Sequence, residues 1–262
     1  MKYGFIGCGN MGGAIATALS RSTKDILLAS KSKITAQTLA GKLGCQASDN
    51  ETVIMTCDVV FLGVKPQMMQ DVLSPLLPLL QKHKPLLVSM AAGLTLNRLS
   101  DFAGGNIPIV RIMPNTPISI GRGMTTYCTN ALVKNAVLEK LLEDISPAGR
   151  FDLIEEQHMD AATVAAGCAP AYVYMFIDAI AEGASACGLP PKEALEFAAT
   201  ATSGAAQLLL ESNADPKALC DAVCSPGGST IAGVRSLEES NFHSIVVKAI
   251  EAAYKRNVEL GK

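Results

Sequence analysis

Three glycines near the start of the chain constrain its fold more than any other feature. Tyr3–Ile6 reads as a short buried strand, the segment Gly7-Cys-Gly-Asn-Met-Gly12 follows it, and an apolar helical pattern comes next. We predict that Gly7 allows a sharp turn, Gly9 lets phosphate approach the backbone, and Gly12 lets the helix pack close to the strand. The order strand, glycine turn, helix predicts a dinucleotide site with its pyrophosphate at the helix N-terminus.

The end of the second predicted strand, Ile26–Ala29, indicates which dinucleotide binds. An NAD site usually has a carboxylate there for the ribose hydroxyls. Here Ser30-Lys-Ser-Lys33 follows, and the next acidic residue is Asp49. Hydroxyl and ammonium groups bind a 2′-phosphate through charge-assisted hydrogen bonds, whereas a carboxylate repels it. We therefore expect NADPH as the cofactor, with NADH possible but weaker. The alternative is that Lys31 and Lys33 are only the solvated start of a helix.

Composition excludes several classes of partner. The 262 residues include 22 Lys and Arg against 24 Asp and Glu, so the charge gives no footprint for nucleic acid or an anionic membrane. We expect no apolar run long enough to span a membrane and no signal peptide, hence a cytoplasmic location. The eight cysteines lack C-x-x-C spacing, as is typical of small core residues in a reducing compartment. Cys220 and Cys224 lie one helical turn apart without a histidine or second pair, and we predict no metal site.

Strands and helices alternate up to about residue 150, and helices alone follow. The predicted strands are Tyr3–Ile6, Ile26–Ala29, Val59–Val64, Leu86–Met90, Ile109–Ile112 and Met124–Cys128. Runs that are apolar on both faces are typical of a parallel sheet covered by helices. We predict an α/β fold in which a Rossmann-type, mostly parallel sheet domain (residues 1–153) precedes an all-helical domain (residues 154–262). The long, Ala-rich helices carry few charges, so we expect a second copy of the chain to cover them.

Three predicted strands end in loops of similar chemistry. In Val64-Lys-Pro-Gln67 the proline keeps Lys65 extended, at the sheet edge where ligands lie in α/β proteins. Ser89-Met-Ala-Ala-Gly93 offers small side chains that leave room for a flat ring, and Arg111-Ile-Met-Pro-Asn-Thr-Pro117 repeats the pattern of strand and proline-bounded loop. Lys65 could also be an ordinary surface lysine. The three strand ends together favour a nicotinamide site.

The second half holds one loop suited to an anion. In Ser225-Pro-Gly-Gly-Ser-Thr230 the paired glycines expose backbone N–H groups where a helix starts, which suits a carboxylate. The alternative is a plain helix N-cap in which Thr230 satisfies its own backbone. The three histidines lie outside every motif, and residues 160–188 contain no lysine base. An imine that already carries a proton on nitrogen needs no strong general base for reduction, so C=N reduction is favoured.

In order and spacing, these motifs resemble those of the pyrroline-5-carboxylate reductase family over essentially the whole chain. The family's Pro-Ala-Tyr is also present, as Pro170-Ala-Tyr172. The resemblance implies NADPH-dependent reduction of L-1-pyrroline-5-carboxylate to L-proline by a homodimer or higher homo-oligomer. Alternatives are a related cyclic-imine reductase, a β-hydroxyacid dehydrogenase, and a non-catalytic NADP-binding regulatory protein.

The resemblance also implies site residues. For the cofactor these are Gly7, Cys8, Gly9, Asn10, Met11, Gly12, Ser30, Lys31, Asn50, Val64, Lys65, Pro66 and Ala91. For the substrate they are Glu156, Gly228, Ser229 and Thr230, with Thr230 in the catalytic role of orienting the ring nitrogen or relaying a proton to it. Three residues depart from the family pattern, namely Cys168, Ala169 and Ala222. They place local contacts in question rather than the reaction.

Overall fold

The computed structural model describes residues 1–260 and divides into two compact units. The first unit combines Met1–Pro170 with the segment from Ala253 onward, and the second unit is Ala171–Ala252. The predicted boundary after residue 153 was drawn from the sequence pattern alone and stays a prediction.

The first unit is built on one eight-stranded sheet. Its strands are β1 (Tyr3–Ile6), β2 (Ile26–Ala29), β3 (Gln46–Ala47), β4 (Val59–Leu62), β5 (Leu86–Ser89), β6 (Ile109–Met113), β7 (Gly123–Thr129) and β8 (Gly149–Leu153), in the spatial order β3-β2-β1-β4-β5-β6-β7-β8. Strands β1 to β6 pair in parallel, β7 runs antiparallel to β6, and β8 runs parallel to β7. The predicted Rossmann-type, mostly parallel sheet is confirmed, since the order 3-2-1-4-5-6 is that of dinucleotide-binding domains.

Helices cover both faces of this sheet. They are α1 (Asn10–Leu19), α2 (Lys33–Leu43), α3 (Asn50–Thr56), α4 (Met69–Leu73), α5 (Leu77–His83), α6 (Leu96–Phe102) and α7 (Asn135–Ile145). Side chains of α1, α2 and α7 pack into one apolar core, and those of α3 to α6 pack into another on the opposite side. Double burial explains why β4 is apolar at every position, and β5 at all but its last.

A continuous helical run, Glu156–Ala186, follows the last strand. It contains a short 3-10 turn, α8 (Met159–Ala162), a π-helical segment (Thr163–Cys168) and α9 (Ala169–Ala186). By length and composition this run could cross a membrane, with a mean hydropathy of 1.5 over its best window. The expectation that no apolar run is long enough is therefore wrong. The charged residues of this run are far enough apart that the Ala, Gly and Val between them make an apolar stretch of the length of a membrane span. A single such helix remains weak evidence for a span, since helices of soluble proteins pass the same test.

The second unit is helical, as predicted for this part of the chain. It contains most of α9, then α10 (Pro191–Ser212), α11 (Pro216–Ala222), α12 (Ser229–Glu239) and the start of α13 (Phe242–Leu260). Its buried core consists of small side chains, those of Ala181, Ala194 and Ala198. Many large apolar side chains of the unit are exposed instead, among them Val173, Tyr174, Met175, Phe197, Leu208, Leu210, Val223 and Ile245.

Candidate active site

The glycine turn after β1 has the geometry that the sequence predicts. Gly7 has a φ of +100°, and a Cβ atom there would lie 2.6 Å from the carbonyl oxygen of Gly63. A Cβ at Gly12 or at Gly63 would overlap the carbonyl oxygen of Gly7. The turn, the start of α1 and the end of β4 therefore pack backbone against backbone. Sequence reasoning missed Gly63, although its place at the end of an otherwise bulky run, Val59-Val-Phe-Leu-Gly-Val64, was a signal.

The N-terminus of α1 is open to an anion. Gly9 is the N-cap residue, no side chain caps the helix, and its first turn has no acidic residue. A Cβ built on Gly9 would meet no atom within 4 Å, so the glycine is not needed for packing within the chain. Free amide groups and the positive end of the helix dipole suit the pyrophosphate of a dinucleotide.

A cavity of about 810 Å³ extends from this turn along the carboxyl edge of the sheet. The predicted cofactor residues that line it are Gly7, Cys8, Gly9, Ser30, Lys31, Asn50, Val64 and Lys65. Lys65 has the extended backbone expected before Pro66. The other predicted cofactor residues, Asn10, Met11, Gly12, Pro66 and Ala91, are not among the lining residues; Gly12 and Ala91 are buried. The cavity has the volume and the lining for an extended dinucleotide, and the individual cofactor contacts stay predictions.

Cys8 contributes backbone rather than a reactive thiol to this cavity. Its side chain is buried and its Sγ donates to the carbonyl oxygen of Ala29 at 3.4 Å. Burial raises the pKa of the thiol to about 11, so it stays protonated near neutral pH. A neutral, buried thiol is a poor nucleophile, and covalent chemistry at Cys8 is disfavoured.

The far end of the cavity combines cations with acids that sequence reasoning did not place there. Ser30, Lys31 and Lys33 line it together with Asp49 and Glu51. Asp49 is brought close because it follows β3, the short strand that pairs with β2. Its Oδ1 accepts from the backbone N–H of Thr52 at 2.7 Å and caps α3, and this bond lowers the pKa of the carboxyl. The carboxylate of Asp49 therefore already stabilises the N-terminus of α3.

A buried arginine in β6 pairs with two carboxylates at the start of the helical run Glu156–Ala186. The guanidinium of Arg111 lies 3.4 Å from Glu156 and 3.4 Å from Asp160. Asp160 also accepts from Nδ2 of Asn257 in α13 at 3.0 Å, and Glu156 accepts from the backbone N–H of Leu96 at 2.6 Å. The carboxylate of Glu156 therefore already has partners within the unit. Its predicted contact with substrate stays a prediction.

The loop before α12 has the predicted glycine turn, but the N-cap interpretation of Thr230 is wrong. Gly228 is the N-cap residue, and no side chain caps this helix. Gly227 adopts a φ of +73°, and Thr230 is the second residue of the helix, with an exposed side chain. Its hydroxyl is thus not used as a cap. These residues lie in the second unit, whereas the predicted cofactor residues and Glu156 lie in the first.

The three departures from the family pattern lie at the ends of elements. Cys168 ends the π-helical segment, Ala169 begins α9, and Ala222 ends α11.

Within residues 1–260 no three His, Cys, Asp or Glu side chains are grouped so as to hold a metal ion.

Comparison with known proteins places this geometry in a family. Residues 156–260 match the family model described as pyrroline-5-carboxylate reductase dimerisation, and residues 2–93 match that of coenzyme F420-dependent NADP oxidoreductases. The pyrroline-5-carboxylate reductase of Escherichia coli is 39% identical over 266 residues, which cover 100% of this chain and 98% of that protein. The chain belongs to the pyrroline-5-carboxylate reductase family.

Solved structures of pyrroline-5-carboxylate reductases have the same fold over their full length. The enzyme from Streptococcus pyogenes superposes with a TM-score of 0.91 at 34% identity, covering 99% of this chain and 98% of the other. The pyrroline carboxylate reductase of Plasmodium falciparum, determined with NADP bound, gives a TM-score of 0.90 at 30% identity, covering 100% and 98%. The family resemblance predicted from the motifs is confirmed, and so is the two-part fold.

Proposed function

We propose that this chain is a pyrroline-5-carboxylate reductase, which reduces the C=N bond of L-1-pyrroline-5-carboxylate to L-proline with NADPH, the last step of proline biosynthesis. The observation that carries the proposal is the full-length identity of 39% to the Escherichia coli reductase. The glycine turn, the open N-terminus of α1 and the cavity beside them fit a dinucleotide. The structure with NADP bound from Plasmodium falciparum supports the choice of cofactor.

The first unit supplies the cofactor site. Bound NADPH would provide the hydride. The amide groups at the start of α1 bind the pyrophosphate, and Ser30 and Lys31 bind the 2′-phosphate through charge-assisted hydrogen bonds. Lys65, extended before Pro66 at the end of β4, lies toward the nicotinamide end. These groups hold the cofactor and orient it, which is where most of the rate acceleration arises for a reactive imine.

The second unit supplies the substrate loop. The N–H of Gly228 already donates to the carbonyl oxygen of Ser225 at 3.0 Å, so the uncapped first residues of α12 supply the backbone N–H groups for the substrate carboxylate. The hydroxyl of Thr230, exposed and not used as a cap, bonds the ring nitrogen and orients it or relays a proton to it. No strong base is required: an imine bound in its protonated form needs only to be oriented, and one bound neutral needs a proton on nitrogen rather than a base.

The active form is a homodimer or a larger homo-oligomer assembled through the helical unit, in the cytoplasm. The exposed apolar side chains of the second unit support the assembly, as does the match to the dimerisation model. All eight cysteines are free thiols in the structure, as is usual in a reducing compartment. Light scattering of the purified protein and a fluorescent fusion in cells test the two statements.

The deciding experiment is the decrease of NADPH absorbance with authentic L-1-pyrroline-5-carboxylate. Proline should form in equal amount to the NADPH consumed. 1-Pyrroline, the same ring without a carboxylate, is the matched control and should react far more slowly. If high enzyme concentrations oxidise no NADPH, the proposal fails. If 1-pyrroline reacts faster than the carboxylate, the chain is a cyclic-imine reductase of another specificity.

A further inference from the structure

One segment of the first unit departs from regular helix geometry. Thr163–Cys168 forms six residues of π-helix between α8 and α9, and it is the single π-helical segment in residues 1–260. A π-helix has a wider turn than an α-helix, because its backbone N–H groups bond the carbonyl five residues back instead of four. Such segments occur frequently at functional sites. The proposed reaction assigns no role to this segment.

The side chain of Asn115 holds this π-helical segment. Its Nδ2 donates to the carbonyl oxygen of Ala166 at 3.1 Å, and its Oδ1 accepts from the backbone N–H of Met124 at 2.9 Å. Asn115 is 8% exposed, so the amide is shielded from water and both of its bonds are costly to lose. One side chain thus fixes a π-helical carbonyl relative to the start of β7.

The same stretch of chain also fixes the beginning of the helical run. Arg111, four residues before Asn115, pairs with Glu156 and Asp160 in its first turns. Thr163 donates its hydroxyl to the carbonyl oxygen of Met159 at 2.7 Å and is itself buried. Strand β6, through Arg111, and the loop after it, through Asn115, therefore contact the helical run at two places. The second of these contacts is with the π-helical segment, and the side chain of Asn115 makes it.

The position of Asn115 in the sheet relates it to the nicotinamide. The predicted residues for the adenosine side, Ser30 and Asn50, follow β2 and β3, on one side of β1. A dinucleotide crosses the switch point of such a sheet, so its nicotinamide half extends over the other side, toward β4, β5 and β6. Asn115 lies in the loop directly after β6, at the same carboxyl edge. The π-helical segment is thus fixed at the nicotinamide side.

We propose that Asn115 is a positioning residue for hydride transfer, because it fixes the π-helical backbone of Thr163–Cys168 at the nicotinamide side of the site. In this proposal it acts through its bond to the carbonyl of Ala166 rather than as a catalytic group. The inference rests on the proposed function. A displacement of about 1 Å in such a supporting element can lower a rate about 100-fold.

The test replaces one atom of Asn115. In Asn115→Asp an oxygen faces the carbonyl oxygen of Ala166 where a donor stood, while the other oxygen still accepts from Met124. Asn130→Asp is the matched control, because Oδ1 of Asn130 accepts from the N–H of Ile109 at 3.1 Å and its Nδ2 donates to the carbonyl of Ile107 at 2.9 Å. Asn115 bonds two backbone groups and Asn130 bonds three, the third being the N–H of Leu132, but Asn130 lies at the opposite end of β6.

Stopped-flow single turnovers of the preformed enzyme–NADPH complex, mixed with excess L-1-pyrroline-5-carboxylate, separate rate from folding, because the amplitude then reports the amount of folded enzyme. In Asn115→Asp the rate constant of NADPH oxidation should fall by about 10- to 100-fold. The dissociation constant of NADPH should stay within about twofold of native, and Asn130→Asp should keep the native rate constant. Loss of folded protein alone would lower the amplitude in both variants and leave the rate constants unchanged. That result overturns the proposal, and Asn115→Ala repeats the measurement if the aspartate variant does not fold.

Hydrogen exchange measured by mass spectrometry tests the role of Asn115 without relying on catalysis. Amides of residues 163–168 should exchange faster in Asn115→Asp than in native protein, and at the native rate in Asn130→Asp. Unchanged exchange in this segment contradicts the attachment through Asn115. A native protein that folds and binds NADPH but does not reduce the imine refutes the proposed function instead. The exchange arm then still decides whether Asn115 holds the segment.

Discussion

The two units of this protein use similar apolar side chains to different ends. In the first unit, the rings of Phe5 and Phe61 stack at 4.6 Å and are fully buried in the sheet. In the second unit, Phe176 and Phe242 also contact each other, at 6.0 Å, yet they are 39% and 42% exposed. The first unit completes its core within one chain, and the second leaves its large side chains at the surface. The difference is what assembly through the helical unit, proposed above, would produce.

The largest effect should come from charging the exposed face of the second unit. Met175 in α9 is 71% exposed, and we expect Met175→Glu to dissociate the oligomer. Loss of the buried Met175 side chain costs about 1.5–3 kcal/mol of association free energy. A two-fold interface contains this side chain twice, so the dissociation constant of a dimer should rise by at least about 100-fold. Ile34→Glu, at a 75% exposed position in α2, is the control and should leave the molar mass unchanged. Light scattering over a dilution series checks both, and equal behaviour of the two variants would abolish the contrast between the units.

The tight packing of the first unit should make one glycine indispensable for folding and another dispensable. Gly12→Ala places a methyl group on the carbonyl oxygen of Gly7 and should lower the free energy of unfolding by about 3 kcal/mol. Gly9→Ala has open space and should leave that free energy nearly unchanged, yet it should weaken NADPH binding at least about tenfold, because the methyl group meets the pyrophosphate. Urea unfolding and fluorescence titration measure the two quantities. Equal destabilisation by both changes would refute the geometric account.

In the second unit, Thr230 should matter for turnover rather than for stability. Its hydroxyl does not cap α12, so Thr230→Ala should change the thermal midpoint little and lower kcat/KM about 100-fold, with NADPH affinity retained. Thr202→Ala is the control, since that hydroxyl bonds the carbonyl of Ala198 within α10. Kinetics and thermal unfolding on the same preparations are required. Near-native turnover of Thr230→Ala would remove this residue from the site.

Cofactor choice should depend on the first unit alone. Ser30→Asp should weaken NADPH binding by about 1.5–3 kcal/mol, the value of a charge-assisted hydrogen bond, without altering assembly. Ser32→Asp adds the same charge two residues away at the N-cap of α2, where aspartate is equally favourable, and Ser32 does not line the cavity. Titration with NADPH and NADH measures both variants. A native protein that uses the two cofactors equally would undermine the assignment of Ser30 and Lys31.

The smallest effect concerns the pH dependence of the first unit. Burial acts to raise the pKa of Asp144, but bonds from Lys140 and from the Tyr3 hydroxyl, at 2.6 Å, together lower it. The carboxylate therefore stabilises the fold above its unfolded pKa, and this contribution is lost as pH falls through the lower folded pKa. Asp144→Asn should cost about 1 kcal/mol at pH 7 and progressively less toward pH 3. Urea midpoints at the two pH values check this, and a cost independent of pH would contradict it.

The strands could be predicted from the sequence wherever burial made them apolar throughout, as in β4, or nearly so, as in β5. Sequence reasoning missed β8, because Arg150 and Asp152 interrupt the apolar pattern at this edge strand, and it missed β3, which is only two residues long. Local motifs predicted the glycine turn after β1 because its chemistry lies within twelve residues. They could not place Asp49 in the cavity beside Lys31, since that proximity depends on the pairing of β3 with β2.

Other parts of the site depend on long-range contacts that no local pattern encodes. Asp160 is 49 residues from Arg111 and 97 residues from Asn257, yet it bonds both. The sequence does not predict the π-helical segment either, since Thr163-Val-Ala-Ala-Gly-Cys168 is compatible with an ordinary α-helix. The side chain that bonds its Ala166 carbonyl, Asn115, lies 51 residues away in the chain.

The bond between Asn257 and Asp160 has a consequence for the order in which the protein can form. The first unit is interrupted by the whole of Ala171–Ala252, so a ribosome must make the helical unit before Asn257 emerges. Domains generally fold as units during synthesis, N-terminal first. The sheet can form early here, but the carboxylate of Asp160 acquires its last partner only after the helical unit has been synthesised. The helical unit is therefore fully synthesised before the nucleotide-binding unit can be complete.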